Sequence, residues 1–209
     1  MYDSIIFDLD GTLWDSTKEV AIAWNEVKSR YPEVTDEITA DRLKGLFGLL
    51  LDEIAVRLFD SVPREKALEL IVECCDYENE YLAKHGADLY PGIEELIEEL
   101  YKKYKLAIVS NCQDGYIQSF FSVYPQLEKL FIDYEYPGRS GKAKADNIRL
   151  VIERNGLNNP LYVGDTQGDA NAARTAGIPF VYARYGFGQV EEYLEAIDYP
   201  LELLEKLRQ

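Results

Sequence analysis

Four short stretches carry the residue types that can do chemistry. Near the N-terminus, Asp8-Leu9-Asp10-Gly11-Thr12 follows the apolar run Ser4-Ile5-Ile6-Phe7. On an extended exit from a strand, residues i and i+2 point the same way, so both carboxylates can face one pocket. Gly11 then lets the chain turn away tightly. Two carboxylates this close repel each other, and they are stable chiefly with a divalent cation or with one of them protonated. Ser110-Asn111 ends a second apolar run, Leu106 to Val109, with a hydroxyl and an amide suited to hold an anionic oxygen. Val163-Gly164-Asp165-Thr166-Gln167-Gly168-Asp169 sets two more carboxylates between a strand and a helix, and Lys142 and Lys144 stand just ahead of the helix before that strand. Taken singly, each stretch has an ordinary explanation: an Asx-rich turn, a helix cap, a capping Asp, a solvated basic loop.

The elements that must position these groups follow from the hydrophobic pattern. Ser4 to Phe7 reads as a buried strand. Ser16-Thr17-Lys18-Glu19 has capping-box spacing and opens an amphipathic helix with Val20, Ala23, Trp24 and Val27. From there to His85 the signals are helical only: Thr39 onward, Leu50 to Phe59, and Arg64 to Lys84, with Gly86 as the stop. The pattern then alternates. It predicts a helix from Pro91-Gly92 through Leu100, a strand over Leu106 to Val109 and a helix near Gly115 to Phe121. A strand around Leu130 to Ile132 and a helix from Ala145 to Arg154 come next. Leu161 to Val163 is a strand, Gly168 to Thr175 a helix, and Pro179 to Ala183 a strand. Such alternation implies right-handed crossovers and a parallel sheet. The fold class is α/β: a Rossmann-like parallel-sheet core over 1–14 and 87–209, interrupted by a helical insertion over 15–86. The polar groups then gather at carboxyl ends of strands, where open α/β sheets bind ligands.

Composition narrows the possibilities. The 209 residues carry 38 acids against 22 bases, a net charge of −16. This disfavours nucleic acid and anionic membrane surfaces as partners. The charge is uneven, −7 over 15–86 and −2 over 87–188, as expected of an insertion with its own surface. Charges interrupt every apolar run well short of a membrane span, Leu46 to Leu51 being the longest candidate. The start, Met1 to Asp8, lacks the basic and long apolar regions of a signal peptide. Cys74, Cys75 and Cys112 form no disulfide framework or zinc motif. A cytoplasmic location is the expectation.

In order and spacing these stretches resemble the haloacid dehalogenase superfamily of phosphatases, over essentially the whole chain. Asp8 to Leu13 is similar to that family's DxDGT[LVI] motif, Ser110-Asn111 to its second, and Gly164 to Asp169 to its fourth. The insertion corresponds to its helical C1 cap, and the pattern looks most like the phosphoglycolate-phosphatase-like branch. The resemblance implies an aspartyl phosphate on Asp8, with Asp10 as general acid and then base. It implies Mg²⁺ held by Asp8, Asp10 (through its backbone carbonyl) and Asp165, and braced by Asp169. Thr12, Ser110 and Asn111 would lie on the substrate side, and a lysine would neutralise charge. Lys144 fits the phosphoserine-phosphatase-like spacing. Lys142 matches the sugar-phosphate-mutase-like position without either proline, so Lys144 is favoured.

The expected partner is a small phosphorylated metabolite, bound by a monomer or small homo-oligomer. Arg42, Lys44, Gly45, Phe47 and Gly48 form a Gly-flanked segment that is a candidate specificity loop. The bases in it suit a small anionic or hydroxylated phosphomonoester. A phosphosugar mutase of the same superfamily and a non-catalytic phosphate-binding module are the alternatives. Gly138-Arg139-Ser140-Gly141-Lys142 lacks the spacing of a P-loop, and Gly186-Phe187-Gly188 is too short for a dinucleotide fingerprint.

Overall fold

The computed structural model describes residues 2–193 and 195–208. Met1, Leu194 and Gln209, all assigned to the expected core, lie outside the described residues. The strands are β1 (Ser4–Phe7), β2 (Trp14–Asp15), β3 (Asp88–Leu89), β4 (Lys105–Val109), β5 (Phe131–Glu135), β6 (Pro160–Gly164), β7 (Phe180–Ala183) and β8 (Glu195–Ile197). The helices are α1 (Thr17–Lys28), α2 (Ala40–Lys44), α3 (Leu51–Leu58), α4 (Arg64–His85), α5 (Ile93–Tyr101), α6 (Tyr116–Val123), α7 (Pro125–Glu128), α8 (Pro137–Ser140), α9 (Lys144–Asn155), α10 (Gln167–Ala176) and α11 (Glu202–Lys206).

Six strands pair in parallel in the order β5-β4-β1-β6-β7-β8. The central strands read as unbroken apolar runs because both faces are covered. Ile5, Phe7, Leu106, Ile108, Leu161 and Val163 share one core. Their alternates Ile6, Ala107, Val109 and Tyr162 share the other, closed by Ile148 and Val151 of α9 and Ala173 of α10. The chain builds outward from β1 through β4 to β5 and then returns beyond β1 to lay down β6, β7 and β8. The order therefore reverses at β1, and the carboxyl ends of β1, β4 and β6 open side by side.

Between β1 and β4 the chain leaves the sheet through β2, forms α1 to α4, and returns through β3. β2 and β3 pair antiparallel, Trp14 opposite Leu89 and Asp15 opposite Asp88. Helix α4 packs against α1 and α3. Its buried residues, Ala67, Leu70, Ile71, Cys74, Cys75, Glu78 and Leu82, recur at helical spacing.

Two expectations need correction, and some short strands were not foreseen. Ser16 does not close a capping box: its side chain makes no cap hydrogen bond, and Asp15 Oδ1 instead accepts from Thr17 N at 3.0 Å and Thr17 Oγ1 at 2.6 Å. The side chains that form such a box are Thr166 and Asp169, at the start of α10. Strand β5 runs to Glu135, three residues beyond the expected Ile132, because ion pairs hold its charged residues. Arg154 binds Asp133 and Glu135, and Arg139 binds Glu135. Finally, β8 and the β2–β3 ribbon are too short to register as periodic patterns.

Candidate active site

Asp8 follows directly on β1, and its N–H donates to the Val163 carbonyl at 2.9 Å, so strand pairing fixes its position. Three successive N–H groups, of Thr12, Leu13 and Trp14, then fold back on the Leu9 carbonyl. This turn needs Gly11 at φ +77°, and a Cβ there would lie 2.1 Å from Asp165 Oδ2. It also sends Thr12 away from the expected substrate side. Thr12 is buried with its hydroxyl 3.5 Å from Asp165 Oδ1, outside the residues that line the pocket.

Asp8, Asp165 and Asp169 are all buried, and one carboxylate oxygen from each lies within 4.8 Å of the others. Lys144, the first residue of α9, reaches in to Asp8 Oδ1 at 2.9 Å and Asp169 Oδ1 at 2.6 Å. Lys142 stays exposed, two residues earlier on the turn before the helix. Burial first, and then the Asp169 charge, push the Asp8 carboxyl up to about 6, although Lys144 opposes this. Burial and the charges of Asp169 and Asp8 also raise Asp165 well above the carboxylate range. Burial works against the Lys144 charge, yet Asp169 and Asp8 hold its pKa above the ordinary lysine value.

Three buried carboxylates against one ammonium leave an excess of negative charge, and the donor atoms are hard oxygens. Such a set fits a divalent cation of the Mg²⁺ kind. Asp169 already takes Lys144 on Oδ1, and Thr166 N and Oγ1 on Oδ2 at 2.9 and 2.7 Å. The carboxylates better placed for direct coordination are therefore those of Asp8 and Asp165, with Asp169 as the brace.

The Asp10 side chain lines one pocket with Asp8, outside the three-carboxylate cluster. Its Oδ1 accepts from Trp14 Nε1 at 2.9 Å, Ser16 Oγ at 2.8 Å and Tyr116 OH at 2.6 Å. Burial holds its carboxyl up to about 7 despite these donors, of which the Tyr116 hydroxyl lowers it most. Ser110 and Asn111 line the same pocket, and Asn111 Nδ2 reaches the Gly48 carbonyl in the insertion at 3.0 Å.

Several contributors escape a reading of the sequence. Phe187 N donates to Asp165 Oδ2 at 2.7 Å, so the Gly186-Phe187-Gly188 turn forms one wall of the carboxylate cluster. A Cβ at Gly186 would stand 2.3 Å from Asp165 Cβ and from the Gly11 carbonyl. Gly186→Ala is expected to cost about 1–3 kcal/mol of stability, read as a lowered midpoint in urea unfolding. The only signal was the pair of glycines just after a strand.

The second is Glu78, buried on α4 among the residues that line the pocket. It accepts from Trp24 Nε1 at 2.5 Å. Burial pushes its carboxyl from 4.5 up to about 8; the Gln113 and Trp24 donors lower it, and Asp10 adds repulsion. The folded state therefore keeps a proton that the unfolded chain has released, so this group's contribution to stability falls as pH rises from about 4.5 to about 8. Glu78→Gln is expected to flatten the stability profile over that window, measured by thermal unfolding in chelator.

Two other expectations place differently. Arg42 turns outward, donating to the Glu37 and Arg57 carbonyls, and Lys44 pairs with Asp15 at 3.1 Å. Of the Gly-flanked segment, only Phe47 and Gly48 line the pocket. Cys112 also lines it, and burial pushes its thiol well above the ordinary range, in keeping with a packing role.

This fold and site define a class: α/β enzymes that gather carboxylates and a lysine at the carboxyl edge of a parallel sheet, beside a helical insertion. The chain belongs to the haloacid dehalogenase-like hydrolase family, whose sequence model matches residues 5–183. It is 25% identical over 197 residues to a phosphoglycolate phosphatase of Vibrio parahaemolyticus, covering 90% of this chain and 86% of that one. To the phosphoglycolate phosphatase of Escherichia coli K12 it is 27% identical over 224 residues, covering 93% and 84%. A solved structure titled a predicted phosphoglycolate phosphatase from Haemophilus somnus superposes with a TM-score of 0.85 at 24% identity, covering 100% and 98%. A haloacid dehalogenase-like hydrolase from Streptococcus pneumoniae does so with a TM-score of 0.83 at 23% identity, covering 99% and 98%.

Proposed function

We propose that this hydrolase is a Mg²⁺-dependent phosphatase that cleaves a small phosphomonoester through an aspartyl phosphate on Asp8. The observation that carries this reading is the buried Lys144 ammonium bonded to both Asp8 and Asp169, with Asp165 in the same cluster. A nucleophilic carboxylate, a cation and a metal-type donor set thus converge on one point. Asp8 and Asp165 would hold the ion through their carboxylates, and Asp10 through its backbone carbonyl. When bound, Mg²⁺ supplies positive charge that offsets repulsion between a carboxylate and a phosphate dianion.

In this reading the Asp8 oxygen that Lys144 does not hold attacks phosphorus in line. The bond from phosphorus to the leaving oxygen breaks, and Asp10 gives its proton to that oxygen. The Trp14, Ser16 and Tyr116 donors fix the Asp10 carboxyl for this transfer. The Asp10 carboxylate then takes a proton from water, whose oxygen attacks the phosphorus of the acyl phosphate. Phosphate leaves and Asp8 is restored. Ser110 and a neighbouring N–H hold the phosphoryl oxygens, and Lys144 neutralises charge on nucleophile and phosphate.

Residues 15–86 act here as a cap. The pocket between them and the sheet measures about 20 Å³, the room of about one water molecule. A substrate therefore enters when the insertion lifts. Phosphate release from p-nitrophenyl phosphate, with Mg²⁺ and with chelator, tests the proposal. Metal-dependent release is expected. No release with Mg²⁺ from this ester or from a broad panel of phosphomonoesters would refute it.

A further inference from the structure

Beyond the phosphate side, the pocket is built from Trp24, Phe47, Leu51, Ile54, Glu78 and Gln113, together with Asn111 and Tyr116. No lysine or arginine is among the described residues lining it. The two bases nearest in sequence are committed elsewhere, Arg42 to backbone carbonyls and Lys44 to Asp15. Lys144 is committed to Asp8 and Asp169.

What the walls do offer is acceptors. Glu78 is 2% exposed and receives the Trp24 indole N–H on Oε2. A carboxyl group has further lone pairs to offer. Asn111 Oδ1 is, among the described residues, a buried side-chain atom without a hydrogen-bond partner. Its orientation is set, because Nδ2 donates to the Gly48 carbonyl and a flipped amide would press two oxygens together. A buried acceptor left without a donor is costly, and a ligand that brings the donor removes that cost.

Resting on the phosphatase reading above, we infer that this site selects esters whose leaving group is neutral or cationic and rich in hydrogen-bond donors, a small polyol or amino alcohol, and not a carboxylate. Hydroxyl or ammonium hydrogens satisfy Asn111 Oδ1 and Glu78, while Trp24, Phe47, Leu51 and Ile54 enclose the carbon chain. A carboxylate leaving group, such as glycolate, would bring a second charge into a pocket where no cation is among the described lining residues to meet it.

The test compares kcat/KM with Mg²⁺ for three esters of similar size: glycerol 1-phosphate, O-phosphoethanolamine and 2-phosphoglycolate. p-Nitrophenyl phosphate serves as the reference for the chemistry itself. The first two are expected to exceed 2-phosphoglycolate by about tenfold or more. In Glu78→Gln the ratio of O-phosphoethanolamine to 2-phosphoglycolate is expected to fall by about tenfold, because a bound ammonium draws the proton from the Glu78 carboxyl and pairs with the carboxylate, which the amide cannot do. A purely structural Glu78 would lower all esters alike and leave that ratio unmoved, which overturns the inference. So does a wild-type preference for 2-phosphoglycolate, a result that needs no variant. If p-nitrophenyl phosphate is cleaved and the ranking is reversed, this inference alone fails. If no ester is cleaved, it fails together with the phosphatase reading.

Discussion

Asp8→Asn is expected to lower phosphate release by about 10⁴-fold or more, the scale on which loss of a nucleophile is felt, while the protein stays folded. The amide is isosteric with the carboxylate, and Asp8 is positioned by its own N–H on the Val163 carbonyl, which the substitution does not touch. In the proposed reaction what changes is the attacking atom: an amide oxygen is a poor nucleophile toward phosphorus. The same change removes one negative charge from a buried cluster holding three carboxylates and one lysine. In chelator the variant is therefore expected to unfold at no lower temperature than wild type. Mg²⁺ should stabilise it less, because one proposed ligand has lost its charge. Steady-state assays and thermal scans with and without the ion check both halves. A folded Asp8→Asn protein with wild-type turnover would remove Asp8 from the chemistry.

Lys144→Ala is expected to be the most damaging single change for the fold. Its ammonium lies between Asp8 Oδ1 at 2.9 Å and Asp169 Oδ1 at 2.6 Å, and all three side chains are buried. Taking away the cation leaves anions in a medium that solvates them poorly, a loss of about 3–5 kcal/mol. Turnover should fall by about 10²–10³-fold, as when one preorganised charge-stabilising donor is removed. The origin of the destabilisation is separable by a double-mutant cycle. If it is uncompensated charge, adding Asp8→Asn to Lys144→Ala should return part of the lost stability, so the two effects are not additive. Additive losses would point instead to lost packing of the lysine stem. Lys142→Ala is expected to leave stability and turnover near wild type, since Lys142 is exposed.

The parts of this site that were legible in the sequence are those set by local geometry. Asp8 and Asp10, two residues apart at a strand exit, line one pocket, and Gly11 stands where the turn requires a positive φ. Lys144 over Lys142 was a narrower choice. The turn through Ser140 and Gly141 makes residue 144 the first of α9, where its side chain reaches Asp8, and leaves residue 142 exposed.

Residues set by tertiary packing were not legible. Ser16 carries capping-box spacing, yet its hydroxyl serves Asp10, 6 residues back, and Tyr116, 100 residues on. Glu78 reads as one more acid on an acidic helix. The clue was its phase, midway between Cys74 and Leu82 on the buried stripe of α4. Arg42 and Lys44 misled in the opposite sense. Their bases suggested an anionic ligand, but side-chain reach took them to carbonyls and to Asp15.

The central claim is that the phosphoryl group passes through Asp8, and the most direct measurement traps it there. With p-nitrophenyl phosphate the leaving group needs little help from an acid, whereas hydrolysis of an aspartyl phosphate needs the Asp10 base. An Asp10→Asn variant given this ester and Mg²⁺ should therefore accumulate phosphorylated protein. Acid quenching, borohydride reduction of the acyl phosphate and peptide mass mapping locate the group. One phosphoryl group per chain is expected, with residue 8 converted to homoserine after reduction. Phosphorylation at another residue, or phosphate release with no covalent intermediate at residue 8, would contradict it.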